Sequence, residues 1–111
     1  MSRSIEIIQS RVAQEMRISV AAMCGRGRQA SVVEARHVGM YLAYANVPHA
    51  SLPQVAKAFR RLDHTTAIHA VRKVQRKMAQ SEDYAQRITA IQVACKQDLA
   101  RLDALRREAG R

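Results

Sequence analysis

The sequence predicts an all-α protein, a small helical bundle that contains a helix-turn-helix and ends in an extended C-terminal helix. Three observations lead there. Only four Gly and two Pro occur in 111 residues, too few for the turns of a sheet protein. Apolar residues make up 48% of the chain and recur at steps of three and four, the period of helices with one buried face. Residues 51–77, SLPQVAKAFRRLDHTTAIHAVRKVQRK, read as a short helix, a tight turn and a second helix that opens on a dense polar cluster. With one Phe, three Tyr and no Trp, the core must be built from aliphatic side chains and Met. A chain of this length forms one domain with a modest core.

The first helix begins near Ser4 and carries Ile5, Ile8, Val12 and Met16 at steps of three, four and four. The pattern stutters at Arg17 to Ser19, and Val20 to Met23 reads as a separate turn or short helix. Gly25-Arg26-Gly27-Arg28-Gln29 is a loop, because two glycines two apart weaken any helix there. Its two arginines are either solvated decoration or an arm that reaches a minor groove beside a reading helix. Ser31-Val32-Val33-Glu34 fits a capping box, Ser at N-cap and Glu at N3. The helix it opens should bury Val33, Val38 and Leu42, with Tyr41 and Ala45 beside them, and end near Asn46 and Pro48. Arg36 falls on its polar side, within reach of a phosphate.

In the central motif Ser51 caps the first helix, and Pro53 is tolerated in the first turn, where the amide it lacks would be unpaired anyway. Leu52, Val55, Ala56 and Phe59 share one face. The chain turns at Arg60-Arg61-Leu62, and Asp63 is a natural N-cap. The second helix buries Ile68, Val71, Val74 and Met78. It projects His64, Thr65 and Thr66 at its start and carries Arg72, Lys73, Arg76 and Lys77 behind them. Hydrogen-bonding side chains at a helix N-terminus with cations further along are what reading a major groove requires. Ser81-Glu82-Asp83 then starts a last helix whose acidic first turn suits the helix dipole. Tyr84, Ile88, Ile91, Cys95, Leu99 and Leu102 continue its apolar stripe toward Ala109.

Charge placement points the same way. Of the net +10, residues 26–77 contribute +8, with ten Lys and Arg against Glu34 and Asp63, and the rest of the chain only +2. A basic centre between nearly balanced ends suggests a polyanionic partner, with a solvated basic face as the plainer reading. Residues 37–56 contain no Lys, Arg, Asp or Glu, but two prolines, two histidines, Asn46, Ser51 and Gln54 rule out a membrane span. Ile5 to Ile8 is too short for a signal peptide and is interrupted by Glu6. Cys24 and Cys95 stand in no CxxC pair and suit a reducing cytosol as small buried apolar residues. The expected location is the cytoplasm, at the nucleoid. His64 and His69, five apart on one helix, face different ways, and no nucleophile or third ligand gathers near them. No catalytic residue, metal or cofactor is expected.

At this point the residues carry a resemblance. Arg28 with Ser31-Val32-Val33, then Arg36, then Met40-x-Leu42-Ala43 form the first part. Ser51-Leu52-Pro53-x-Val55-x-x-Ala58-Phe59, Asp63-His64-Thr65-Thr66, His69-Ala70 and Arg72-Lys73 form the second. From about Ile5 to Ile91 the chain resembles the C-terminal DNA-binding domain, domain IV, of the bacterial replication initiator DnaA. The resemblance implies a helical bundle whose helix-turn-helix binds short asymmetric boxes in double-stranded DNA. It implies that Asp63, His64, Thr65 and Thr66 read base edges and that Leu52 and Pro53 touch a thymine methyl or nearby backbone. Arg28 would enter the minor groove, while Arg36 and Lys73 would hold phosphates. The residues alone had given Leu52 and Pro53 only packing and helix initiation. Arg60 and Arg61 of the turn, with His69 and Arg72 of the second helix, complete the expected DNA contacts.

The sequence departs from the family in four places. Arg60-Arg61-Leu62 stands where Gly-Gly-Arg or similar is common, Asn46 to Ala50 is one residue longer, Tyr44 replaces a frequent Lys, and no P-loop occurs in these 111 residues. The implied boundaries are 1–95 for the DnaA-like domain and 96–111 for a helical extension. There Leu99, Leu102 and Leu105 would serve a protein partner or self-association, or form a loosely packed end. Two functions follow: a transcriptional regulator, akin to those of bacteria and phage-like elements including activators of gene transfer agents, or a replication-control protein that occupies initiator boxes. A pure protein-interaction module has only the terminal leucines in its favour.

Overall fold

The computed structural model describes residues 2–110. They form six helices, α1 (Arg3–Glu15), α2 (Val20–Met23), α3 (Ala30–Asn46), α4 (Leu52–Ala58), α5 (Thr65–Gln80) and α6 (Glu82–Ala109). Serines start four of them. Ser2, Ser19, Ser51 and Ser81 each accept a hydrogen bond from the amide three residues on, which satisfies a donor the helix itself leaves unpaired. At Ser51 the box is complete: its hydroxyl accepts from the Gln54 amide at 3.2 Å, and the Gln54 side chain accepts from the Ser51 amide at 2.9 Å.

The capping box expected at Ser31 does not form. The helix starts two residues earlier, Gln29 is the N-cap, and no side chain caps it. Glu34 is drawn away by two distant partners. Its carboxylate accepts from Lys77 Nζ at 2.9 Å and from the Tyr84 hydroxyl at 2.7 Å, tying α3 to α5 and α6. Lys77 also lies over the Tyr84 ring, 4.6 Å from its centroid. This cation, read from the sequence as part of the outward basic row, therefore serves the bundle.

The core is aliphatic apart from Phe59. Ile8, Val12, Met23, Val38, Met40, Leu42, Val55, Phe59, Val74, Ile88 and Cys95 are all fully enclosed. In α3 the buried face runs through Val32, Ala35, Val38 and Leu42, so Val32 replaces the expected Val33, and Ala45 is exposed. In α5, Ala67 and Ala70 are fully buried and Ile68 only half. Small residues on that face let α5 approach closely, and its most extensive packing is on α3. Burial pushes the Cys95 thiol up to about 12, as expected for an inert core cysteine. Gln9 is buried yet satisfied, its side-chain amide donating to the Ala58 carbonyl at 2.9 Å.

Helix α6 has 28 residues, about 42 Å at 1.5 Å per residue, and accounts for the 45 Å long axis. It continues unbroken past residue 96, packs along α1, and keeps Leu99 against the core. A two-pronged ion pair holds this stretch: Arg11 Nε and Nη2 donate to Asp98 at 2.8 and 3.0 Å. Leu99 is therefore used internally, whereas Leu102 is half-buried and Leu105 exposed. Among the described residues, no helix is long and apolar enough to cross a membrane.

Candidate nucleic-acid interface

The turn between α4 and α5 is set by backbone hydrogen bonds. The Arg61 amide donates to the Ala56 carbonyl at 2.8 Å and the Arg60 amide to Lys57 at 2.9 Å, the paired bonds of a Schellman helix end. That end needs a left-handed residue, and Arg60 occupies it at φ 58°. Glycine would do so at no steric cost. Here a cation sits in the strained position with its side chain exposed.

Helix α5 runs from Thr65, one residue later than an Asp63 N-cap would give; His64 stands between them, already helical in conformation, and makes no side-chain cap. Asp63 nevertheless does the capping chemistry. Its carboxylate accepts from the Thr65 amide at 2.9 Å and its carbonyl from the Thr66 amide at 3.1 Å. The Thr65 amide is the main reason the Asp63 carboxyl is held below its ordinary range. The tip stands in solvent: the Asp63 side chain is 67% exposed and that of His64 55%. Thr65, His69, Arg72 and Arg76 follow at steps of four, three and four, all exposed, with Lys73 beside them. Hydrogen-bonding groups thus occupy the start of one helix face and cations its continuation, the order that base edges flanked by phosphates demand.

Two expected contacts are placed differently. Arg36 is not on a polar surface. It is only 8% exposed, and its guanidinium donates to three carbonyls: Nε to Met23 at 2.8 Å, and Nη2 to Gly25 and Gly27, both at 3.0 Å. Helical spacing placed it opposite the apolar stripe, but the loop after α2 folds over it, a non-local event. Burial, and next the charge of Arg61, hold its pKa below the ordinary arginine value. Arg61 is half-buried and likewise donates to the Gly25 carbonyl. These bonds bring the 25–28 loop, with exposed Arg26 and Arg28, beside the turn of the helix-turn-helix.

Pro53 is exposed at the start of α4, while Leu52 is half-buried and packed against the core. Sequence reasoning missed Leu62, whose side chain is wholly exposed at the tip of the turn. Its position in the departing Arg60-Arg61-Leu62 run was the available signal. It also passed over His37, half-buried on α3. Burial foremost, and then the neighbouring charge of Lys73, push its pKa down. Among the described residues no group of three His, Cys, Asp or Glu side chains could hold a metal ion.

Comparison with known proteins agrees with this geometry. The family described as the bacterial dnaA protein helix-turn-helix matches residues 5–74. The chain is 42% identical over 71 residues to the chromosomal replication initiator protein DnaA of Leptothrix cholodnii, covering 64% of this chain and 14% of that protein. Against the DnaA of Cereibacter sphaeroides it is 39% identical over 82 residues, or 74% and 18% of the two chains. Against that of Methylibium petroleiphilum it is 35% identical over 92 residues, or 83% and 20%. The chain therefore spans only about a fifth or less of the length of these relatives. By sequence match and by the helix-turn-helix it contains, this chain belongs to the bacterial DnaA helix-turn-helix family of DNA-binding domains.

Proposed function

We propose that this chain binds double-stranded DNA sequence-specifically, with the tip of α5 in the major groove, and acts as a transcriptional regulator at the nucleoid. One observation carries the reading: Asp63, His64 and Thr65 are exposed at the start of a helix whose outer face continues in cations. Of the two acids between Arg26 and Lys77, Glu34 is neutralised by Lys77, so only Asp63 faces the approaching polyanion. Thr65 and His64 read base edges, with Thr66 and His69 at their flank. Arg60, Arg72 and Lys73 hold phosphates, and Arg28 enters the adjacent minor groove. Pro53 lies where the backbone passes.

The departures from the family favour a box other than that of a replication origin. The turn carries Arg60, Arg61 and Leu62, and Tyr44 is 43% exposed where the family commonly has Lys. A genome-wide map of occupancy in the source cell tests the assignment. Footprints at promoters support regulation. Footprints confined to origin boxes would replace it with replication control, in which the chain competes with or assists a full-length initiator.

A further inference from the structure

Arg36 and Arg61 come from different elements, yet both guanidinium groups converge on the carbonyl oxygen of Gly25. Arg36 also holds Met23 and Gly27, so three carbonyls along five residues face one buried fork. The loop has little freedom to leave it. A Cβ on Gly25 would lie 3.0 Å from the Ala21 carbonyl oxygen, so the backbone there is closely packed on the end of α2. Arg61 belongs to the turn that launches α5, and the same residue's amide closes the end of α4. Through its side chain the turn and the loop are joined.

An arginine that holds a phosphate needs its fork directed into solvent. Arg36 has no such freedom, and Arg61 has already committed an Nη2 donor to the protein. We propose that Arg36 and Arg61 are positioning residues, which fix the 25–28 loop to the helix-turn-helix so that Arg28 meets the minor groove at a set offset from the His64–Thr65 tip. This rests on the DNA-binding reading above and gives the buried Arg36 and the half-buried Arg61 a role other than phosphate contact. Minor-groove reading by an arginine depends on groove width, which A·T-rich steps narrow. A tethered arginine can exploit that difference. An arginine on a loose loop attracts the backbone of any flank.

The test uses the full chain and duplexes enriched by it from a randomised library. Each duplex is rebuilt with either an A·T-rich or a G·C-rich flank on the side that Arg28 approaches. Arg61→Met, Arg28→Ala, the double variant and Arg36→Lys are compared, with circular dichroism confirming the fold of each. The unaltered protein should prefer the A·T flank. Arg61→Met should reduce that preference by at least about threefold, and should have no further effect on it once Arg28→Ala is present, the non-additivity expected of coupled residues. Its salt slope should change by well under one unit, since no phosphate contact is lost. Arg36→Lys keeps the buried cation but reaches fewer carbonyls, and should reduce the preference in the same way if Arg61→Met fails to fold. An Arg61→Met variant that weakens both flanks equally and lowers the salt slope by about one unit would make Arg61 a phosphate contact and overturn the proposal. So would an unchanged flank preference in both folded variants. Failure to enrich any duplex would instead remove the DNA-binding reading, and the proposal with it.

Discussion

Gly39 of α3 lies flat against the Phe59 ring at the end of α4: a Cβ at position 39 would stand 2.9 Å from two ring carbons and 3.4 Å from the Met23 sulfur. The first helix of the helix-turn-helix is therefore docked on α3 through the one place where α3 has no side chain. Phe59 is fully enclosed, so its ring gives way only by displacing its core neighbours. Gly39→Ala gains about 1 kcal/mol of helix propensity, but overpacking a closed core costs about 1–3 kcal/mol. The overlap should win, with a net loss near 1 kcal/mol in thermal unfolding. Phe59→Leu should be less damaging in that variant than in the original chain.

Arg60 is strained, and its replacement should separate stability from binding. A non-glycine residue in the left-handed region costs about 1–2 kcal/mol. Arg60→Gly should therefore raise the unfolding free energy by about 1 kcal/mol. If Arg60 holds a phosphate, the same change lowers affinity for all duplexes and reduces the salt slope by about one unit. Denaturant melts and salt titrations on one preparation measure both.

The Glu34 network makes stability depend on acid. Burial alone would raise the Glu34 pKa, but the hydrogen bonds from Lys77 and Tyr84 outweigh it and hold it below the ordinary glutamate value. A group with a depressed folded pKa adds stability that is complete above its unfolded pKa and is lost as pH falls through the folded one. Unfolding free energy should thus decline below about pH 4.5, near the unreacted carboxyl value. Glu34→Gln should flatten that part of the decline and cost about 1 kcal/mol at neutral pH, a modest figure because Lys77 is partly solvated. Melts of both proteins from pH 3 to pH 7, on the order of the carboxyl range, decide it.

Asp98 holds the outer half of α6 to α1. Its hydrogen bond from Arg11, above all, keeps the carboxyl below its usual range, and the paired geometry is the stronger form of such contacts. Asp98→Asn should cost about 1 kcal/mol and speed amide exchange over residues 99–109 more than elsewhere. Equal exchange along the whole helix would show that apolar packing, not the ion pair, fixes this segment.

The sequence disclosed what depends on near neighbours. Ser51 caps the helix it was expected to cap, and the last helix starts at the expected Ser81-Glu82-Asp83 with Ser81 as its cap, because a cap is decided within three residues. The exposure of His64 and Thr65 followed from the apolar spacing of the helix behind them. Glu34 misled because the local box competed with Lys77 and Tyr84, 43 and 50 residues away, and two charge-assisted bonds outweigh one cap. Arg36 misled for a similar reason: helical period describes a face, and a loop folded over that face turned a polar position into a buried one. In the 46–50 segment His49 is left-handed at φ 66°, which composition alone does not specify. Leu99 shows the reverse limit, since α1 offered the end of α6 more surface than chain length suggested.

The central claim is that the His64–Thr65 tip reads base edges, and one binding comparison addresses it. Affinities of the unaltered chain, His64→Ala and Thr65→Ala are measured for an enriched duplex and for a scrambled duplex of equal composition across a salt series. Each variant should lose about 1–3 kcal/mol on the enriched duplex, roughly 5- to 150-fold. Affinity for the scrambled duplex and the salt slope should stay nearly unchanged. Equal losses on both duplexes, or none on either, would contradict it.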